Sequence, residues 1–413
     1  MKVLHVDCSD THGGAARAAF RIHSALLSVG IDSRFAVLQK SSSDWRVWQP
    51  ERWTRLRKKL AVRGEGLILN HFAKVLPKKP WSLAYFSTPA LVDYINNTDC
   101  DIVQLHWING SCLSVADIRR IQKPIIWTLH DAWPFTGGCH YFDSCLRYQE
   151  QCRDCPQLAG HTIDFANKQF HAKERSFRDL LLSIVSPSQW LANCARQSAL
   201  FRNHPITVIP NTLDQQIYQP VQKSLARQLL HLPERRKIIL FGADNATHDP
   251  RKGYDLLCRA LQTLYRQSSH PESILLLVFG ASAPRESEKF PFEVRYIGRL
   301  HDDYSLALLY QAADVFAAPS REDNLPNTIA EASSCGTACI GFAIGGIPDQ
   351  IKHMETGYLA RPFDTDDFAA GLQTCLEHSR AWGEQSRRVA EQLYAPQICA
   401  ASYQQVYERL LPK

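Results

Sequence analysis

The sequence predicts an α/β protein built from two doubly wound halves, each a parallel sheet covered by helices on both faces. Three observations lead there. Short apolar runs alternate with helical stretches along the whole chain, the pattern of β-α units around a buried parallel sheet. The length of 413 residues exceeds one ordinary hydrophobic core and suits two domains of about 150 to 200 residues each. The chain opens with an apolar run at 3–6, then Gly13-Gly14, then an alanine-rich helical stretch over 15–27, which reads as strand, glycine turn, helix.

The later elements repeat that unit. Residues 101–105 and 124–129 read as buried strands, each followed by a histidine, His106 and His130. A second series begins after Leu232-Pro233 with strands at 237–242, 273–280 and 294–298, and continues at 314–318 and 338–342. Proline and turn residues interrupt the pattern over 208–214. The expected division is therefore an N-terminal domain of 1–212, a C-terminal domain of 213–380, and a helical segment of 381–413 packed across the seam. Two such units side by side are expected to face a central cleft.

Composition narrows the class without deciding the function. With 45% hydrophobic and 21% charged residues and no biased tract, the chain is globular and not disordered or fibrous. A net charge of +6 suits an anionic small molecule, a membrane surface or nucleic acid alike. No signal-peptide pattern opens the chain, and no apolar stretch approaches the roughly eighteen residues of a spanning helix, so a cytoplasmic location is expected. Thirteen cysteines in such a compartment are scattered small apolar residues, with or without a metal cluster, sooner than disulfides.

In open parallel sheets ligands sit beyond the carboxyl ends of the strands. The richest such loop is residues 319–332, P-S-R-E-D-N-L-P-N-T-I-A-E-A, which follows a strand and opens a helix. Backbone N–H groups at a helix start favour a diphosphate, and nearby carboxylates accept hydrogen bonds from sugar and ribose hydroxyls.

These residues resemble the signature of glycosyltransferase family 4, a retaining group with the GT-B fold: P-S, an acidic residue, seven residues, then glutamate and alanine. The resemblance, to bacterial polysaccharide and colanic-acid biosynthesis transferases in particular, implies that Asp323 holds hydroxyls of the donor sugar and Glu331 the ribose. Backbone N–H groups around Asn324 and Leu325 would meet sugar and phosphate. The family's usual first glutamate is replaced by Glu322-Asp323, so either carboxylate could fill that place. The loop Asp249-Pro250-Arg251-Lys252-Gly253 matches the family's diphosphate-neutralising cations, Lys252 directly and Arg251 in place of the usual arginine after the strand glycine, where Ala243 stands. Two cations facing a departing diphosphate stabilise the charge that grows on it. Arg299, after the strand at 294–298, corresponds to a loop near the nucleotide base, and Gly345-Gly346 in G-G-I-P-D reads as a structural turn.

In the first half the resemblance implies that Gly14 lets the backbone approach the donor, that His130 reaches the donor sugar, and that His106 and Asn109 line the acceptor side. His130, Asp323 and Lys252 are the expected catalytic group. The resemblance further implies front-face attack, with a phosphate oxygen of the leaving group helping to take the acceptor proton, and so neither a dedicated base nor a catalytic divalent metal. The expected partners are a nucleotide-sugar donor and a glycan or lipid-linked acceptor, used in cell-surface polysaccharide synthesis.

Two features lie outside that set. Cys139, Cys145, Cys152 and Cys155 crowd a long insertion and could hold a structural zinc, pair as a disulfide or stay reduced. The stretch Arg52 to Lys79 carries Arg55, Arg57, Lys58, Lys59 and Arg63 with Trp53, Leu56 and Leu60 at helical spacing, either a helix for the inner face of an anionic membrane or a solvated face. Against the glycosyltransferase stand a nucleotide-sugar epimerase, a silent sugar-nucleotide-binding homologue and a zinc-stabilised nucleic-acid binder. The last is disfavoured, since no readout motif accompanies the basic residues, and no nucleic-acid partner is expected.

Overall fold

Every strand named from the sequence forms, and forms in parallel pairing, because runs such as Ile274–Phe279 are buried along their whole length and belong in a sheet covered on both faces. The computed structural model describes residues 1–72, 75–76, 79–159, 163–281, 292–300 and 302–411, without the side chains of 52–58. Its contacts divide the chain into two units, Met1–Thr212 with Pro396–Lys413, and Leu213–Ala395.

The first unit contains, in order, β1 (Lys2–Ser9), α1 (Gly14–Ser28), β2 (Asp32–Gln39), β3 (Val47–Trp48), α2 (Arg52–Phe72), α3 (Pro89–Asn97), β4 (Ile102–Leu105), α4 (Val115–Ile118), β5 (Ile125–Thr128), α5 (Phe165–Phe177), β6 (Leu182–Ser186), α6 (Gln189–Gln197) and β7 (Ile206–Val208). Among the described residues its sheet has seven strands in the order β3-β2-β1-β4-β5-β6-β7. The second unit runs α7 (Lys223–Leu229), β8 (Lys237–Gly242), α8 (Tyr254–Gln267), β9 (Ile274–Phe279), β10 (Glu293–Gly298), α9 (Asp303–Ala312), β11 (Val315–Ala318), α10 (Asn327–Ser334), β12 (Ala338–Phe342), β13 (Gly357–Ala360), α11 (Thr365–Glu377) and α12 (Ser379–Leu393). Its six described strands lie in the order β10-β9-β8-β11-β12-β13. In both sheets the first strand sits inside and the order runs outward from it both ways, the doubly wound arrangement.

Local chemistry fits these elements. α8 buries Leu257, Leu261 and Leu264 on one stripe and exposes Arg259, Gln262 and Arg266 on the other. α6 and α9 start where Ser188 and Asp302 accept from the backbone N–H three residues on. The C-terminal segment, expected as one piece from 381, is two helices: Pro396 cannot continue α12 and instead begins α13 (Pro396–Leu410). α12 belongs to the second unit, whereas α13 belongs to the first. There Tyr403, Val406 and Tyr407 pack with Leu26 and Ile126. Tyr403 shares a 3.2 Å hydrogen bond with Thr128, and Tyr407 donates to Gln104.

Asp314 ties the second unit together just before β11. Its carboxylate accepts from Arg227 at 2.7 Å, Lys223 at 2.8 Å and the Ile238 N–H at 2.8 Å. Burial alone would push this carboxyl up, but Lys223, the Ile238 N–H and Arg227 outweigh it and hold it below the usual carboxylate range. Asp314→Ala leaves Arg227 buried without its partner and is expected to destabilise the protein by about 3 to 5 kcal/mol in urea unfolding. A carboxyl whose pKa is depressed on folding contributes fully above its unfolded value near pH 4 and loses that contribution as pH falls through its lower folded value. The gap between wild type and variant should therefore close below about pH 4.

Candidate functional site

β8 and β11 are neighbours at the point where the second sheet's order diverges, and the loops beyond their carboxyl ends are stitched together. The Asp249 carboxylate accepts from the Arg251 N–H at 2.9 Å and from its guanidinium at 3.1 Å, which caps the short turn Pro250–Lys252. Across from it, the Arg321 N–H donates to the Arg251 carbonyl at 2.7 Å, and its side chain donates to the Pro250 carbonyl at 2.8 Å. The same guanidinium grips Asp255 at 2.7 and 2.6 Å. Gly253, at φ +68°, lies against the Pro319 carbonyl so closely that a Cβ would come within 1.9 Å of its oxygen.

This stitching delivers Lys252 Nζ to 2.7 Å from Asp323 Oδ2, and Arg251 Nη1 to 3.4 Å from the same oxygen. Burial works against the Asp323 carboxylate, but Lys252, Arg251 and the Asn324 N–H outweigh it and hold its pKa below the ordinary value. Burial also lowers the Lys252 ammonium, with Asp323 opposing. The backbone of Asp323 is fixed from the other side: its carbonyl accepts from the Gly346 N–H at 3.1 Å, and Gly345 at φ +55° approaches it where a Cβ would come within 2.2 Å. Of the two adjacent carboxylates, Asp323 is the one hydrogen-bonded by Lys252, while Glu322 offers its backbone carbonyl to Arg251 at 3.4 Å.

Asn324 and Leu325 are buried in the turn into α10, where the Pro326 carbonyl accepts from the Ile329 N–H at 3.1 Å. One turn in, the buried Glu331 accepts from the Tyr310 hydroxyl at 3.0 Å. Arg299 is exposed and pairs with Asp244 at 3.0 Å. Sequence reading gave Arg251, Lys252, Asp323 and Glu331 but not Asp249, Arg321 or Tyr310, which serve as braces. Arg321 stands inside the motif and could have been suspected; Tyr310, in α9, carries no pattern that ties it to Glu331.

In the first unit His5, His106 and His130 are hydrogen-bonded in a row, at 2.9 Å and 3.0 Å. Asn109 is buried, with its Oδ1 lacking a hydrogen-bond partner. Gly14 is the first residue of α1, after Gly13 at φ +93°. Asp131, next to His130, is committed to structure: it accepts from Trp107 at 3.1 Å, the Trp133 N–H at 2.9 Å and His140 at 2.7 Å.

The insertion after β5 places Cys139 and Cys152 in the interior and leaves Cys145 and Cys155 half-buried, with no disulfide. Burial raises the Cys139 thiol well above its usual value and Cys152 to about 12, and the Gly137 N–H donates to Cys152 Sγ at 3.1 Å. Among the described residues no group of three or more His, Cys, Asp or Glu stands placed to hold a metal ion. Lys173 secures the insertion: its buried ammonium donates to the Trp133 and Thr136 carbonyls and sits 3.6 Å from the Trp133 ring centre. α2 forms over the basic stretch, with Leu60 exposed; the side chains of Arg52, Trp53, Arg55, Leu56, Arg57 and Lys58 lie outside the described residues.

A family model described as Glycosyltransferase Family 4 matches residues 12–216, and one described as Glycosyl transferases group 1 matches residues 235–378. The chain is 22% identical over 294 residues to a D-inositol 3-phosphate glycosyltransferase of Corynebacterium aurimucosum, covering 68% of this chain and 64% of the relative. It is 26% identical over 254 residues to the putative colanic acid biosynthesis glycosyl transferase WcaC of Escherichia coli, covering 58% of each. The matches thus span less than two thirds of these relatives' lengths. Anabaena Alr3699/HepE, solved with UDP-glucose, superposes with a TM-score of 0.64 at 14% identity, over 99% of this chain and 100% of that one, which shows a shared fold of the GT-B type.

Gly253→Ala tests the stitching. A side chain at that φ is strained and meets the Pro319 carbonyl, so the variant should lose at least about 2 kcal/mol in chemical unfolding. An unchanged midpoint would mean that the two loops do not depend on this close approach.

Proposed function

The chain belongs to glycosyltransferase family 4, and from that premise we propose that it is a retaining glycosyltransferase, moving a sugar from a nucleoside-diphosphate donor to a glycan or lipid-linked acceptor in cell-surface polysaccharide synthesis. The observation that carries the donor half of this reading is the Arg251–Lys252–Asp323 group beside the start of α10. Arg251 and Lys252 are the two cations for the diphosphate, and the first turn of α10 adds backbone N–H groups. Asp323, the carboxylate they hold ionised, accepts from hydroxyls of the sugar, and Glu331, braced by Tyr310, from those of the ribose. The UDP-glucose in the HepE structure supports a nucleotide sugar as donor.

Catalysis in this reading is electrostatic. As the bond to the anomeric carbon lengthens, negative charge grows on the leaving diphosphate, and cations already in place stabilise it without reorganisation. The acceptor attacks from the face the diphosphate leaves, and a phosphate oxygen takes its proton. His130, at the carboxyl edge of the first sheet, is assigned to the donor sugar and Asn109 to the acceptor side, whereas His106, expected there too, is buried with both ring nitrogens engaged by His5 and His130. Among the described residues no helix is long and apolar enough to cross a membrane, so a lipid-linked acceptor would be met at the membrane surface.

A panel of nucleotide sugars screened by thermal shift should contain one donor that stabilises the protein. The same donor should support release of nucleoside diphosphate, reduced about 10²- to 10³-fold in kcat by Lys252→Ala or Asp323→Ala, while Glu331→Ala should act mainly on donor KM. Absence of stabilisation by every nucleotide and nucleotide sugar would overturn the reading.

A further inference from the structure

The first unit holds a row of three hydrogen-bonded histidines, His5, His106 and His130. In register His5 on β1 faces Gln104 on β4, and Leu105 on β4 faces Trp127 on β5. Continued along the strands, that register puts His106 two residues beyond the position opposite His5, and His130 two beyond the position opposite His106. Steps of two keep all three side chains on one face while the row climbs from the sheet interior to its carboxyl edge. The rings overlap as they climb, with centres 5.2 Å apart at each step. His5 and His106 are buried, and His130, at the edge, is partly exposed.

The three rings are neutral near pH 7. Burial, then the neighbouring imidazoles, drive His5 and His106 well below the usual histidine value, and burial takes His130 to about 4. The titratable groups around the row are His23 against His5, Asp7 at the end of β1, whose burial raises it to about 7, and Asp131 after His130. A neutral imidazole has one N–H and one bare nitrogen, so the row has only two self-consistent arrangements. In one, every proton points inward along the row and His5 Nε2 carries an N–H. In the other, His5 Nδ1 donates to His106 Nε2, His106 Nδ1 donates to His130 Nε2, and His5 Nε2 is bare. His5 Nε2 is buried with no hydrogen-bond partner. An orphaned buried N–H is rarer than an unused acceptor, which selects the second arrangement.

We propose that His106 and His5 are positioning residues that hold His130 in the tautomer with its proton on Nδ1, so that His130 meets an oxygen-rich anionic ligand as an N–H donor. This rests on the reading above in one respect only, the assignment of His130 to the donor sugar. The row sets its tautomer whether or not that assignment holds.

The test uses the full chain labelled with ¹³C,¹⁵N-histidine. In wild type the ring nitrogen shifts should show His130 protonated at Nδ1 and bare at Nε2. His106→Leu removes the donor to His130 Nε2, so His130 should become a mixture of tautomers, with kcat for donor turnover down about tenfold and donor KM within about twofold. His106→Gln retains an amide N–H and should recover most of both. If His106→Leu does not fold, His5→Phe keeps the ring stacking, deletes the first donor and should shift the His130 tautomers in the same sense. A wild-type His130 protonated at Nε2, or tautomers and kcat unmoved by both His106→Leu and His5→Phe, overturns the proposal. Failure of the functional reading looks different: no donor turnover by wild type, or full turnover by His130→Ala, with the tautomer result intact.

Discussion

Parallel pairing at the divergence points of the two sheets, β1 with β4 and β8 with β11, is the constraint on which both buried polar clusters depend. In a parallel sheet every strand enters from one edge and leaves at the other, so loops far apart in sequence emerge together. Lys252 and Asp323 are 71 residues apart and His5 and His106 are 101 apart, yet each pair is within hydrogen-bond distance. Once the strands are in register, little more than short loops is needed to complete the contacts. This is why Gly253 and Gly345 matter: each lets the backbone come closer than any side chain would permit.

The two clusters treat buried polarity in opposite ways. Around Asp323 the cost of burying a carboxylate is offset by two cations and a backbone N–H, so the charge persists. Such a group is expensive to assemble and so well suited to a ligand that carries charge of its own, since the protein's charges are already aligned when the ligand arrives. The histidine row has no counter-charge inside the sheet, and burial keeps it neutral. What it transmits is the direction of a hydrogen bond, which a file of identical rings preserves from end to end.

Much of this was legible beforehand. The apolar runs at 3–6, 101–105, 237–242 and 273–280 announced β1, β4, β8 and β9, because strands buried on both faces have no polar alternation to confuse them. β2 and β6 were harder: β2 begins with Asp32-Ser33-Arg34, and β6 is a five-residue run following a helix. The motif at 319–332 and the R-K-G turn were also readable, since they are continuous in sequence. The pairing of Tyr310 with Glu331 and the brace from Arg321 to Asp255 were not, because each joins elements whose spacing follows no local period.

The sequence by itself therefore determined the class of fold, the family and the two loops that carry Lys252 and Asp323, all of which depend on local patterns of apolarity, glycine and charge. Only the tertiary structure decided that α12 and α13 serve different units, that Asp323 and not Glu322 is held by Lys252, and that three histidines form one row. Those outcomes rest on which strands lie side by side and in what register, a matter of long-range packing that no stretch of sequence encodes alone.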